Sequence, residues 1–184
     1  MARKIIVSEF VTIDGVMEEP RWTFNFPGDH MNNKTEELFA SDALLLGRKT
    51  YEGFAAAWPT MERDPVGYTD KMNNIRKYVV STTLKEAKWN NSRIINENIM
   101  EEISRLRNAE DGKGHLLVYG SNELVNSLAK QSLVDEYWLM VFPVVVGKGM
   151  RLFKDGTSIA NLKLIDAKSY SAGVVFLRYR ANNV

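Results

Sequence analysis

Apolar runs separated by short polar turns set the pattern of this chain, and strand-like and helix-like spacings alternate along it. Ile5 to Val11 is apolar, with three β-branched residues ahead of Phe10, and predicts a strand closed by the turn Thr12-Ile13-Asp14-Gly15. Val16 to Asn32 is irregular, with two prolines, Trp22, Phe24, Phe26 and His30, and reads as a loop packed on the core or as one wall of a pocket. Asn33 and Glu36 have capping-box spacing, which predicts a helix over Lys34 to Ala40 with Leu38 and Phe39 facing inward. Ala43 to Leu46 is short and wholly apolar, as expected of a strand buried on both faces of a parallel sheet. Tyr51 to Ala57 has helical composition and stops before Trp58-Pro59. A helical turn within Tyr68 to Ile75 and strands at Tyr78 to Ser81 and Ile94-Ile95 follow. Asn98 repeats the capping-box spacing with Glu101, ahead of the helical stripe Ile99, Ile103 and Leu106.

A polar loop from Glu110 to Gly114 leads into Leu116 to Phe142, which reads as strand, small-residue turn, helix, strand. In that βαβ unit Ser121 or Asn122 caps the helix, whose apolar stripe is Leu124, Val125 and Leu128. Two more strands are expected over Ala160 to Ala167 and Gly173 to Tyr179, with no long helix between them. They predict an antiparallel pair at the sheet edge. The pattern is one α/β domain spanning residues 1–184, mainly parallel and closed by a C-terminal β-hairpin.

Composition narrows the chemistry. Among the 184 residues, 45% are hydrophobic and 26% charged, as in ordinary globular proteins. Lys+Arg 24 against Asp+Glu 23 leaves a net charge of +1, which gives no electrostatic case for a nucleic-acid or membrane-surface partner. The absence of cysteine excludes disulfides, thiolate catalysis and Cys-based metal sites. The two histidines lie far apart in sequence, so no metal is expected. With no leader-like or membrane-spanning stretch, a cytoplasmic protein is expected.

Three strand ends carry phosphate-friendly residues: Gly47 to Thr50, Ser81 to Thr83, and Gly120 to Glu123. Ligands of open α/β sheets sit beyond the carboxyl ends of the strands. Gly120 lets a ligand approach the backbone, and the helix start behind it attracts anions. Taken alone, that turn reads more simply as a turn. Arg48 and Lys49 read either as a solvated helix start or as phosphate partners. Cations there oppose the helix dipole unless an anion stands nearby. Ser121 is no nucleophile elbow, because Tyr119 and Glu123 stand where G-x-S-x-G needs glycine, which disfavours a hydrolase. Gly147-Lys148-Gly149 is followed by Leu152 where a dinucleotide fingerprint needs its third glycine. On composition Asp14 reads as a turn with Gly15 and Asp29 as a solvated loop residue. The aromatics Trp22, Phe24, Phe26, Phe54, Trp58 and Phe142 serve either the core or stacking on a flat heterocycle.

Four pieces in order resemble the dihydrofolate reductase-like superfamily: SEFVTIDGVM (8–17), ALLLGRKTYEGF (43–54), KYVVSTTL (77–84) and VYGSNELVNSLAKQSLVDEYWLMVFPVVVGKGMRLF (118–153). Within it the chain is most similar to dihydrofolate reductase-related proteins that share a fold with the C-terminal reductase domain of bacterial riboflavin biosynthesis enzymes. The resemblance implies a three-layer α/β/α fold and NADPH bound along the strand ends. By that resemblance Gly47, Arg48, Lys49 and Thr50 grip the adenosine phosphates, and Ser81 and Thr82 the ribose 2′-phosphate. Gly120, Ser121, Asn122 and Glu123 hold the pyrophosphate, and Val11 and Thr12 flank the nicotinamide. Asp14 matches the family's S-x-D-G turn and is the expected catalytic group. Trp22, Asp29, Phe54, Trp58 and Phe142 are the expected substrate contacts. Ser121 departs from the family, where a second glycine is usual. The first helix offers only Glu36 and Glu37 as counterparts of the pterin-binding acid, so true dihydrofolate reductase activity is not expected. The expected function is hydride transfer from NADPH to a pterin- or riboflavin-precursor-like heterocycle, in the manner of 5-amino-6-(5-phosphoribosylamino)uracil reductase or dihydrofolate reductase. The alternative is a non-catalytic nucleotide-binding or assembly protein. A homodimer is expected by the same resemblance.

Overall fold

Continuous apolar runs at Ile5–Val7 and Leu44–Leu46 have no polar face to turn outward, and the fold buries both of their faces. The computed structural model describes residues 2–109, 112–156 and 161–182. Glu110 and Ala160, where a loop and a strand were expected to begin, lie outside the described residues. The strands are β1 (Ile5–Thr12), β2 (Ser41–Gly47), β3 (Arg76–Val80), β4 (Ser92–Ile95), β5 (His115–Val118), β6 (Glu136–Phe142), β7 (Leu162–Ser169) and β8 (Val175–Ala181). The α-helices are α1 (Met31–Phe39), α2 (Arg48–Ala57), α3 (Tyr68–Asn74), α4 (Ile99–Asn108) and α5 (Asn122–Lys130). One sheet runs β4-β3-β2-β5-β1-β6-β8-β7. Its first six strands are mutually parallel, while β8 and β7 form the expected antiparallel pair at the edge.

Side chains alternate strictly between the two faces. Ile5, Val7, Ala43, Leu45, Leu116 and Val118 join Ile103 and Leu106 of α4 and Leu124, Val125 and Leu128 of α5 in one core. Ile6, Leu44, Leu46, Val79 and Leu117 join Leu38 of α1, Tyr51 of α2 and Met72 of α3 on the opposite face. The result is a three-layer α/β/α arrangement. A smaller cluster of Met140, Phe142, Val174 and Phe176 packs beneath Phe10, Trp22 and Phe26. No helix among the described residues is long and apolar enough to cross a membrane.

Helix starts depart most from the sequence expectation. α2 begins at Arg48, three residues early, because Gly47 is extended (φ −73°, ψ 157°) and serves as its cap. α1 begins at Met31 after His30, so Asn33 lies inside the helix and the Asn33–Glu36 capping box does not form. Phe39 is not a core residue: it is 50% exposed, whereas Leu38 is fully buried. Asn98 does precede α4, in a left-handed conformation and without a side-chain cap bond.

Glu136 anchors the start of β6. It is buried and accepts hydrogen bonds from Lys4 Nζ (2.7 Å), Trp138 Nε1 (2.8 Å) and Arg178 Nη2 (3.1 Å). Burial raises its pKa, but these bonds outweigh it and hold the carboxyl at about 2, below its ordinary 4.5. A carboxylate depressed in the folded state adds stability above its unfolded pKa and loses it as pH falls through the folded value. Glu136→Gln is therefore expected to be less stable than wild type at pH 7, with the gap closing between pH 4.5 and about 2, as read by urea unfolding across that range. Leu45→Ala, at a site 1% exposed in the middle of the sheet, is expected to cost about 2–5 kcal/mol in the same assay.

Candidate active site

A cleft opens because one strand is short. The β5 ladder with β1 stops at the Val7–Val118 pair, whereas β1 continues beside β6 to the Thr12–Phe142 pair. Past Val118 the flank of β1 has lost its neighbouring strand. α1, α2 and the turn into α5 instead wall a cavity of about 720 Å³, within the usual size of small-molecule sites.

One group of lining residues comes from two interlocked turns. β2 and β5 are neighbours, so α2 and α5 start side by side, and neither has a side chain capping its free N–H groups. Gly47 N–H donates to the carbonyl of Gly120 at 2.9 Å. A Cβ on Gly47 would stand 2.5 Å from Ser121 Oγ, so glycine is required there. Gly120 has φ +94°, and a Cβ on it would stand 2.9 Å from Thr50 Oγ1. The Gly120–Ser121 peptide is cis. Lys49, Thr50, Ser121 and Asn122 line the cleft beside these turns. Two uncapped helix starts with positive dipole ends form a natural anion cradle. Asn122 donates through Nδ2 to the carbonyl of Arg151, while its buried Oδ1 has no partner among the described residues.

The second group is a buried polar set that the sequence reading passed over. Ser8, Glu9 and Phe10 of β1 line the cleft with Met31 and Lys34 of α1, Phe54, Trp58, Tyr68 and Tyr119. Lys34 pairs with Glu37 at 2.8 Å, and their side chains are only 5% and 1% exposed. Ser8 Oγ and Tyr119 Oη both donate to Glu37, each at 2.9 Å. The Lys34 ammonium lies over the rings of Phe10 and Tyr119, 4.7 and 4.8 Å from their centroids. Burial and the neighbouring Glu37 carboxylate push the Tyr119 hydroxyl well above its usual range. Glu9 is 7% exposed, and its Oε1 has no partner among the described residues. Burial pushes its carboxyl up to about 8, against the field of Lys34 and with that of Glu37. The signal was present in the sequence: a strand buried on both faces should be apolar throughout, and Ser8-Glu9 interrupts IIVSEFV.

The structure divides the expected site residues. Lys49, Thr50, Ser121, Asn122, Phe54 and Trp58 line the cleft, and Gly47 and Gly120 form its turns. Ser81 and Thr82 lie at the end of β3, next to β2, where Ser81 Oγ accepts from the N–H groups of Thr83 and Leu84. Arg48 is bonded to Glu52 at 3.0 Å, and Glu123 to Lys154 at 2.7 Å. Val11 packs in the core, and Thr12 Oγ1 is taken up by Val16 N–H and the carboxylate of Asp14. Asp14 does not line the cleft. Its carboxylate accepts from Thr12 Oγ1 and from the N–H groups of Val146 and Gly147, and those bonds with Thr12 and Gly147 lower its pKa. It holds a loop. Phe142 is fully buried in the core, and the half-buried Trp22 packs edge-on against it at 5.2 Å, outside the cleft lining. Asp29 is exposed and outside the cleft.

Comparison with known proteins places this geometry. The model of the RibD C-terminal domain matches residues 3–176. The uncharacterized protein YyaP of Bacillus subtilis is 34% identical over 189 residues, covering 98% of this chain and 96% of that protein. A putative riboflavin biosynthesis protein from Shewanella superposes with a TM-score of 0.78 at 19% identity, covering all of both chains. Dihydrofolate reductase from Enterococcus faecalis, solved with NADP(H), superposes with a TM-score of 0.57 at 15% identity, again over all of both chains. With its sheet order, its short β5 and a family match over nearly its whole length, the chain belongs to the RibD C-terminal domain family and has a dihydrofolate reductase-like fold.

Proposed function

We propose that this protein is an NADPH-dependent reductase acting on a flat conjugated heterocycle. The observation that carries the reading is the pair of uncapped helix starts, opened by Gly47 and Gly120, beside a cleft with aromatic walls. The residues fit a dinucleotide. Gly47 and Gly120 keep the backbone open where any Cβ would collide, and the N-termini of α2 and α5 present N–H groups and dipoles to a pyrophosphate. Lys49 and the Thr50 and Ser121 hydroxyls supply charge and donors. The Oδ1 of Asn122, which has no partner among the described residues, can accept from an N–H donor of the ligand. When bound, NADPH supplies hydride to the substrate carbon. The chain's own task is to hold the heterocycle between Phe10, Phe54 and Trp58, exclude water, and manage the accompanying proton.

NADPH is expected to raise the melting temperature and perturb the fluorescence of the four tryptophans, Trp58 being at the cleft. No response to NADPH or NADH at millimolar concentration sinks the cofactor reading. Binding without oxidation by any pterin-like, flavin-precursor-like or other heterocyclic acceptor sinks the reductase reading and leaves a nucleotide-binding protein. Gly47→Ala is expected to weaken NADPH binding at least about tenfold, because its Cβ must displace Ser121. Lys49→Ala is expected to weaken it about three- to tenfold at low ionic strength, and less as salt screens the cation.

A further inference from the structure

Glu9 adjoins both groups of cleft residues. Its Oε1 lies 3.5 Å from where a Cβ on Gly120 would stand, and its chain neighbours Ser8 and Phe10 contact Lys34. A buried carboxyl oxygen without a partner is costly unless a ligand supplies one. Held at about 8, the group is mostly protonated at pH 7 and can donate a hydrogen bond or a proton. Once ionised it lies within the field of the Lys34 ammonium, which favours the carboxylate.

The charges around it narrow the substrate. The cleft's cations are Lys34 and Lys49, and Lys34 is already bonded to Glu37 and Ser8 between two aromatic rings. Lys49 stands beside the anion cradle, while Glu18 and Glu19 add negative charge to the opposite loop. Among the described residues lining the cleft, Lys49 at the cradle is the cation left for a phosphate.

We propose that Glu9 is the acid of this cleft, a carboxyl group that reads and protonates the ring nitrogen of an unphosphorylated C=N heterocycle as its carbon is reduced. The assignment rests on the reductase reading. The C=N π bond opens, and carbon gains hydride from the reduced dinucleotide. Nitrogen gains the proton from the Glu9 carboxyl and becomes an amine. The dinucleotide leaves oxidised, and Glu9 is left as a carboxylate in the field of Lys34 until water returns its proton. A neutral acid near the working pH suits an imine nitrogen, which must take one proton for each hydride.

The test uses the full chain with Glu9→Gln and Glu9→Leu. The probes are 3,4-dihydroisoquinoline, a flat cyclic imine, and its all-carbon analogue 1,2-dihydronaphthalene. Infrared spectra of the wild type at pH 7 are expected to contain a protonated-carboxyl band that titrates near pH 8 and is missing from both variants. Followed by tryptophan fluorescence without NADPH, Glu9→Leu is expected to weaken imine binding about tenfold and leave the all-carbon analogue unchanged. Glu9→Gln, which still donates a hydrogen bond, is expected to bind the imine within about threefold of wild type but lose at least about 100-fold in kcat. The wild-type rate is expected to fall above about pH 8. The other titratable groups lining the cleft are Lys34 of α1, Glu18 and Glu19 of the facing loop, Lys49 of α2, Tyr68 of α3 and Tyr119; Glu37 stands behind Lys34. Ribose 5-phosphate is expected not to displace the imine.

An unchanged kcat in Glu9→Gln, or a missing carboxyl band, overturns the assignment of the acid. Displacement of the imine by ribose 5-phosphate overturns the substrate class. Melting shifts with NADPH are measured on all three proteins. A wild type that ignores NADPH defeats the reductase reading alone, because the band and the imine discrimination still decide whether Glu9 reads the ligand.

Discussion

Burial of the central strands on both faces is the constraint on which the rest depends. β1, β2 and β5 carry apolar side chains upward and downward, so each face needs its own helices. Parallel strands joined by crossovers supply those helices and bring every carboxyl end to one edge. The glycine turns at the strand ends therefore converge as a consequence of core formation, with no separate device to gather them. β3, β2 and β5 lie next to one another, which aligns Ser81, Gly47 and Gly120 along that edge.

Much of this was legible because the strands announce themselves. Leu44–Leu46 and Leu116–Val118 are too apolar and too short for surface helices, and their alternation into two cores follows from strand geometry. Helix starts were harder. α2 is capped by Gly47 and α1 by His30, neither through a side chain, so the expected cap pattern at Asn33 had nothing to mark. Propensity locates an α-helix through its buried face, and its first turn belongs to whatever the preceding strand end leaves unsatisfied.

The candidate site was legible in its glycine turns and illegible in its floor. Glycines and small polar residues at strand ends speak through local backbone chemistry, which a sequence displays. Glu9, Lys34, Glu37 and Tyr119 meet only through tertiary packing, across separations such as 82 residues between Glu37 and Tyr119. Asp14 shows the converse. Its motif is conspicuous, yet its carboxylate is spent on the backbone of the loop at Val146 and Gly147. Buried ionisable groups contribute little to stability relative to apolar replacements. A set of them collected at the wall of a cleft is better explained by work done there.

The contact between Gly47 and Ser121 makes two distant stretches of sequence one part. Ser121 has its hydroxyl oxygen in the space that a side chain on residue 47 would need, 2.5 Å from the missing Cβ, with its own Cβ at 3.1 Å. The departure from glycine at 121 is thus accommodated by glycine at 47, and because a Cβ at 47 would also stand 2.9 Å from the Ser121 backbone nitrogen, glycine is needed at 47 whatever stands at 121. A redesign of the cradle that alters one turn while keeping the other would be working against a shared volume.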